Sequence, residues 1–104
     1  MGKVFDFAKV KRSYFTVTTK SGQTLQVKMP VKRVFDKVMA LDTNASGAEA
    51  IYALDVVCAE LLSNNVAGVT TTTDEVSAEY DLEEKLAFLN AYMEFVTEAG
   101  KNPN

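Results

Sequence analysis

The sequence contains no histidine among its 104 residues and only one cysteine, Cys58. Histidine is the commonest general base and the commonest metal ligand, so its absence excludes every histidine-based catalytic triad. A single cysteine forms no internal disulfide, which favours a reducing compartment such as the cytoplasm. Cys58 lies in an apolar helical pattern, where a free cysteine behaves as a small hydrophobic residue.

Long apolar runs and nucleotide-binding motifs are also absent. No stretch approaches the roughly 18 consecutive apolar residues of a membrane helix, and residues 1–7 lack the apolar centre of a signal peptide. The motifs GxGxxG, GxxxxGK[ST] and CxxC do not occur. The adjacent carboxylates Glu83 and Glu84, like Asp74 and Glu75, fall at predicted helix starts, where negative charge stabilises the helix dipole. We therefore expect a protein that is not an enzyme and that uses no cofactor and no metal.

The composition is that of an ordinary soluble domain, with 47% apolar and 24% charged residues. At this length one domain is expected, with a core that needs no disulfides. The net charge of −3 conceals a strong polarity: residues 1–40 carry nine basic and two acidic residues, and residues 41–104 carry two and twelve. Either the two halves fold together and attract each other weakly, or the basic end of one copy docks on the acidic end of the next. The residues predicted for such self-association are Lys32, Arg33 and Lys37.

The basic half also permits a nucleic-acid interpretation. Tyr14 and Phe15 are suited to stacking on bases, and they lie among Lys9, Lys11, Arg12, Lys32, Arg33 and Lys37. Against this, the isoelectric point is about 4.9, so the basic surface would lie beside an acidic one that competes for it. Solvated lysines are the commoner explanation.

The pattern predicts an α+β fold, mainly α, with an N-terminal β-hairpin followed by three main helices and one short helix. Apolar residues alternate with threonine and other polar residues on both sides of Lys20-Ser21-Gly22-Gln23, as expected for a hairpin. Its apolar face must pack on helices, because an isolated hairpin is marginally stable. The predicted parts of the single domain are a basic, partly ordered arm at 1–12, the hairpin at 13–29, the helical part at 30–98 and an unstructured tail at 99–104.

Helical spacing begins at Pro30, which suits a first helical position, and ends at Asp42-Thr43-Asn44. A capping box from Ser46 to Glu49 precedes the second helix, Ala50–Leu62, which we expect to be the most buried. Residues 66–73, with four consecutive threonines, are predicted to form a mobile connector. A short helix then begins near Thr73, and Asp81 with Glu84 caps the last helix.

The last helix, Asp81–Val96, has an apolar sector that is unusually wide. One stripe comprises Leu82, Leu86, Leu89, Met93 and Val96, and a second comprises Phe88, Tyr92 and Phe95. A surface helix usually needs a sector of roughly 100°. Either the second stripe forms the core with the hairpin, or it is exposed for a partner as i, i+4, i+7 anchors. The predicted partner-binding residues are Phe88, Leu89, Tyr92 and Phe95, with the first stripe as core.

The chain also resembles a protein family in residues 14–97. The residues that carry the resemblance are Leu61-Leu62-Ser63-Asn64-Asn65, the threonine-rich connector, and Asp81–Val96, above all Asn90-Ala91-Tyr92-Met93-Glu94-Phe95. The hairpin, the proline after its second strand and Arg33-Val34-Phe35 are similar in arrangement. Together these features resemble the tail assembly chaperones of long-tailed phages and prophages.

The resemblance implies a small, mostly helical, non-enzymatic protein of the host cytoplasm. Members of that family coat the long helical tape-measure protein until tail-tube subunits replace them, and several of them self-associate. Two alternatives stay open: a small nucleic-acid-binding or regulatory phage protein that uses the basic N-terminal half, and a structural tail-completion protein.

Overall fold

The structure is a computed structural model that describes residues 4–41 and 47–101, with the backbone alone for residues 100 and 101. A two-stranded antiparallel hairpin precedes four helices, which confirms the predicted mainly helical α+β fold. The elements in chain order are a 3₁₀ turn at Phe7–Lys9, β1 at Phe15–Thr18, β2 at Thr24–Val27, α1 at Lys32–Met39, α2 at Ala48–Ser63, α3 at Thr73–Glu79 and α4 at Leu82–Lys101. The predicted tail at 99–104 is thus helical as far as Lys101, and its last three residues lie outside the described part.

In the hairpin Phe15 lies opposite Val27 and Val17 lies opposite Leu25. These four side chains share the face that packs on the helices, and Leu25 and Val27 are fully buried. Gly22 has a φ of 88°, a backbone conformation that glycine adopts without strain in the turn. Alternation of apolar and polar residues was therefore a sufficient guide to this element.

The outer edge of β2 pairs with the segment that follows α2, a contact that the sequence did not suggest. The Lys28 N–H donates to the Asn64 carbonyl at 2.8 Å, and the Val66 N–H donates to the Gln26 carbonyl at 3.0 Å. Val27 and Asn65 form an isolated antiparallel bridge between them. Residues 64–66 thus act as a short third strand and leave β1 at the edge of the sheet.

The connector between α2 and α3 is tied down by hydrogen bonds, contrary to the expectation of a mobile segment. The buried Asn65 donates to the carbonyls of Leu62 and Val69, and its side-chain oxygen accepts from the Val69 N–H at 3.0 Å. Ser63 Oγ donates to the Thr71 carbonyl and accepts from the Thr71 N–H. The run of threonines has no helical or apolar pattern, which led to the prediction of a mobile segment. The bonds that hold it come from Ser63 and Asn65, which lie before the run, so the run itself gives no sign of them.

Helix ends follow the capping rules, with shifts of one or two residues. The N-cap of α3 is Thr72, whose side chain forms a capping box with Glu75. Asp81 and Glu84 form the predicted box at the start of α4, with both side-chain-to-backbone bonds at 2.8 Å. By contrast α1 begins at Lys32 rather than Pro30, because Val31 keeps an extended conformation. The helix α1 ends at Met39 with Ala40 as its C-cap, earlier than predicted, and the N-cap of α2 is Gly47 rather than the predicted Ser46. Residues 42–44 and Ser46 themselves lie outside the described residues.

The core lies between the hairpin face and the helices, with the second half of α2 at its centre. Buried residues of α2 run from Leu54 to Leu62. Its first two turns are mostly exposed, including Tyr52, but α2 still has more buried residues than any other described helix, as predicted. On α4 the predicted core stripe holds for Leu86, Leu89, Met93 and Val96, whereas Leu82 is 48% exposed.

Candidate partner-binding site

The four predicted partner-binding residues of α4 pack inside the molecule rather than on its surface. Tyr92 is 0% exposed and Leu89 is 4% exposed, and Phe88 and Phe95 are half-buried against the core. Burial raises the pKa of the Tyr92 phenol to about 12. The Tyr92 hydroxyl donates to the Lys28 carbonyl at 3.1 Å, which fastens α4 to the end of β2.

A single hairpin residue, Phe15, covers the aromatic stripe. Its ring centroid lies 6.1 Å from that of Phe88, 5.8 Å from that of Tyr92 and 5.5 Å from that of Phe95. These are the separations of favourable aromatic pairs. Of the two explanations that the sequence left open, the structure therefore shows the stripe as core with the hairpin. Leu89 or Tyr92 could contact a partner only if the hairpin moved away from α4. Partner binding by the stripe therefore stays a prediction, and it requires that displacement.

The predicted self-association cations are exposed, but each has an acidic neighbour in the same chain. Lys32 pairs with Asp36 at 2.7 Å, one helical turn away. Arg33 and Lys37 both reach Oε1 of Glu60 on α2, at 3.4 and 3.0 Å. The Lys37 hydrogen bond is the main cause that lowers the pKa of Glu60. The basic and acidic halves thus make contact within one molecule, and a head-to-tail contact stays untested.

The turn of the hairpin is held to the start of α4 by a further contact between the two halves. Lys20 Nζ donates to Glu84 Oε1 at 2.9 Å and to the Glu79 carbonyl at 2.9 Å. The Lys20 backbone N–H donates to the Tyr80 hydroxyl at 3.2 Å. The hydrogen bond to Glu84 raises the pKa of Lys20, while the Asp81 N–H and then Lys20 lower the pKa of Glu84.

A buried ion pair joins α2 to α4, and sequence reasoning missed it. Asp55 is 3% exposed and Lys85 is 6% exposed, with Nζ 2.5 Å from Oδ1. Cys58 lies one turn after Asp55 on α2, and burial raises the pKa of its thiol to about 12. A protonated thiol is a poor nucleophile, which suits the predicted role of Cys58 as a small core residue. The only sequence signal was an acidic residue on an apolar helix face.

A surface cleft lies beside the hairpin's open end, between the segment before β1 and the helices α1 and α2. Its volume is about 620 Å³. Apolar side chains of Tyr14, Met29 and Val31 line it, and all three are exposed, Val31 by 62%. It is also lined by three cations, Arg12, Lys28 and Arg33, and by the carboxylate of Glu60, which pairs with Arg33. We call this cleft the basic groove.

The basic groove offers chemistry that is suited to recognition. Apolar side chains that remain in water favour association with an apolar partner surface, and surrounding cations favour an acidic one.

Among the described residues, no group of three or more histidine, cysteine or acidic side chains is arranged to hold a metal ion. Within the same part of the chain, no helix has the length and apolarity of a membrane span.

Sequence reasoning assigned Arg33 to a surface patch and Tyr14 to possible base stacking, but it did not bring them together. Met29 and Val31 continue the apolar patterns of the hairpin and of the first helix, which predict core positions, whereas the structure exposes both side chains. Comparison with known proteins adds no relative: no family model, curated protein or solved structure matches this chain.

Proposed function

We propose that this protein is a tail assembly chaperone of a long-tailed phage or prophage. In this proposal it binds the tape-measure protein in the host cytoplasm and keeps it soluble until the tail tube forms. The basic groove is the observation that supports the proposal most, because it holds apolar side chains in water beside positive charge. The family resemblance of residues 14–97 supplies the identity of the partner.

The chemistry of the basic groove fits an amphipathic helix with acidic flanks. Full burial of an aliphatic or aromatic side chain contributes roughly 1.5–3 kcal/mol. Covering Tyr14, Met29 and Val31 would therefore contribute several kcal/mol, less the cost of association. Arg12, Lys28 and Arg33 come from three elements, so they can meet carboxylates on more than one turn of a bound helix.

The groove suits this role better than the aromatic stripe of α4. Use of Phe88, Leu89, Tyr92 and Phe95 would first expose Phe15 and break the bond from Tyr92 to the Lys28 carbonyl. The groove is accessible without displacement of the hairpin, and Arg33 alone among its cations must exchange an acidic neighbour, Glu60, for a carboxylate of the partner. Head-to-tail contact through Lys32, Arg33 and Lys37 is compatible with the proposal, provided that these side chains exchange their acidic neighbours for those of another copy.

Nucleic-acid binding is the second candidate, and one observation favours it. Tyr14 is 40% exposed in the same groove as Arg12, Lys28 and Arg33, an arrangement suited to a stacked base beside phosphates. Affinity for single-stranded DNA that falls steeply with salt concentration would support this candidate. Presence of the protein in purified phage particles would instead support a structural tail component.

The variant Val31→Asp tests the proposal in a binding assay with purified tape-measure protein. Val31 is the N-cap of α1 and its side chain makes no capping bond, so aspartate there preserves or improves the helix start. We expect at least tenfold weaker binding with no loss of thermal stability. The matched control is Val66→Asp, which places the same charge at an exposed valine outside the groove. Equal binding by both variants and the native chain would contradict the role of the groove.

A further inference from the structure

The strand β1 has a free edge with hydrogen-bonding groups that no described residue uses. In the hairpin the Thr19 N–H bonds to the Gln23 carbonyl, so Phe15, Val17 and Thr19 direct their backbone groups toward β2. Because this direction alternates along an antiparallel strand, the N–H and C=O groups of Thr16 and Thr18 face away from β2. The described residues place no backbone or side-chain hydrogen bond on them.

Although this edge strand is short, it lacks three other features by which proteins block unwanted strand pairing. Such edges tend to carry a proline, a charged side chain or a bulge, whereas residues 13–19 read Ser-Tyr-Phe-Thr-Val-Thr-Thr. The opposite edge of the sheet is covered by residues 64–66. The open stretch ends at Lys20, whose N–H already bonds to Tyr80. The remaining edge is short, and the backbone N–H and C=O groups of Thr16 and Thr18 are available there to pair with a second strand.

We propose that β1 pairs antiparallel with β1 of a second copy of this chain, about a two-fold axis at Thr16. In that register Thr16 faces Thr16 of the other copy, and Tyr14 faces Thr18. Every outward backbone group from Tyr14 to Thr18 then has a partner, and the Lys20 N–H keeps its bond to Tyr80. Cross-strand threonine pairs of this kind are favourable.

The charges beside the strand fit the same two-fold arrangement. The segment before β1 carries exposed cations at Lys9, Lys11 and Arg12. In an antiparallel pair this segment runs past the hairpin turn of the other copy. Lys20 holds that turn against the acidic corner between α3 and α4, which is formed by Glu79, Asp81, Glu83 and Glu84. Each basic segment therefore meets an acidic corner, and the contact closes as a dimer instead of extending as a head-to-tail array.

Site-specific crosslinking of the Thr16→Cys variant tests the geometry. Opposed residues in a hydrogen-bonded antiparallel pair have Cα atoms about 5.5 Å apart, which is within disulfide range. We expect mild oxidation to convert most of Thr16→Cys to a covalent dimer. The matched control is Gln26→Cys, the exposed neighbour of Thr16 on β2, which lies off the axis and is expected to stay monomeric. The native chain tests whether the buried Cys58 contributes to crosslinking.

Sedimentation equilibrium of the unmodified chain supplies the second measurement. We expect a dimer that dissociates on dilution, and we expect Thr16→Pro to be monomeric with unchanged melting temperature, because its lost N–H faces away from β2. If Thr16→Pro fails to fold, Lys9→Glu with Lys11→Glu tests the same interface from the surface, with the basic groove unchanged, and should also give a monomer. A native chain that stays monomeric at millimolar concentration, or equal crosslinking of Thr16→Cys and Gln26→Cys, would overturn the proposal. The inference stands apart from the proposed function, since it holds whichever molecule fills the basic groove.

Discussion

The hydroxyl of Tyr92 donates a hydrogen bond to the backbone carbonyl of Lys28 at 3.1 Å, and it does so from a side chain that is 0% exposed. This bond joins the middle of α4 to the end of β2, elements that lie 64 residues apart in sequence. Together with the contact between Phe15 and the same ring, it makes the hairpin an integral part of the core. A marginal two-stranded hairpin thereby gains the packing that it needs.

Two substitutions at Tyr92 should separate the contribution of its hydrogen bond to stability from the contribution of its buried ring. Tyr92→Phe removes only the hydroxyl, so we expect a loss of about 0.5–1.5 kcal/mol in the free energy of unfolding. Tyr92→Ala removes a fully buried ring and should cost about 3–5 kcal/mol. Urea unfolding followed by circular dichroism measures both. A loss below about 1 kcal/mol for Tyr92→Ala would place this ring on the surface, as the partner-binding prediction required.

The Asp55–Lys85 pair should behave as a unit. Removal of one partner leaves a buried charge without compensation, so Asp55→Ala should cost about 3–5 kcal/mol. Replacement of both side chains, as Asp55→Leu with Lys85→Met, exchanges the pair for apolar contacts and should cost much less than the two single substitutions combined. A double-mutant cycle with additive losses would show that the two residues do not interact.

Stability should fall in alkaline solution because two buried groups resist ionisation. Burial raises the pKa of Cys58 from 9.0 to about 12 and that of Tyr92 from 10.0 to about 12. Between the ordinary and the raised pKa the unfolded chain releases the proton while the folded chain keeps it, so the free energy of unfolding decreases as the pH rises from about 9. Tyr92→Phe with Cys58→Ala should flatten this dependence in urea titrations at stepped pH. An unchanged slope in that variant would assign the dependence to other groups.

The α3–α4 junction should be sensitive to loss of its cap. The Asp81 side chain accepts from the Glu84 N–H at 2.8 Å, and Glu84 returns a bond to the Asp81 N–H. Asp81→Ala should therefore lower the free energy of unfolding by about 1 kcal/mol. Asp74→Ala is a suitable control, since it removes an exposed acid from the first turn of α3 without removing a cap. Equal losses for the two variants would argue against a specific contribution of the Asp81 cap.

Local rules were sufficient for those parts of the fold that neighbouring residues determine. The alternation around Gly22 predicted the hairpin, and the Asp81–Glu84 spacing predicted the start of α4. Contacts between distant residues were a different matter. The width of the apolar sector on α4 indicated that two surfaces must cover it. Periodicity within α4 does not identify the residue that packs on the second stripe, which is Phe15.

The same limit explains the site residues that the sequence did not reveal. Asp55 lies among apolar residues of its own helix, but its pairing with Lys85 depends on the packing of α2 against α4. The basic groove collects side chains from the segment before β1, from the end of β2 and from α1. No local motif links Tyr14 with Val31, so the groove emerges only from the three-dimensional arrangement.

Co-expression with the proposed partner, a tape-measure protein, tests the central claim most directly. We predict that the native chain keeps the tape-measure protein in the soluble fraction and is recovered with it in a stable complex. Val31→Asp should lose both effects, while Val66→Asp should retain them. A tape-measure protein that stays insoluble in the presence of the native, folded chain, with no complex recovered, would contradict the account.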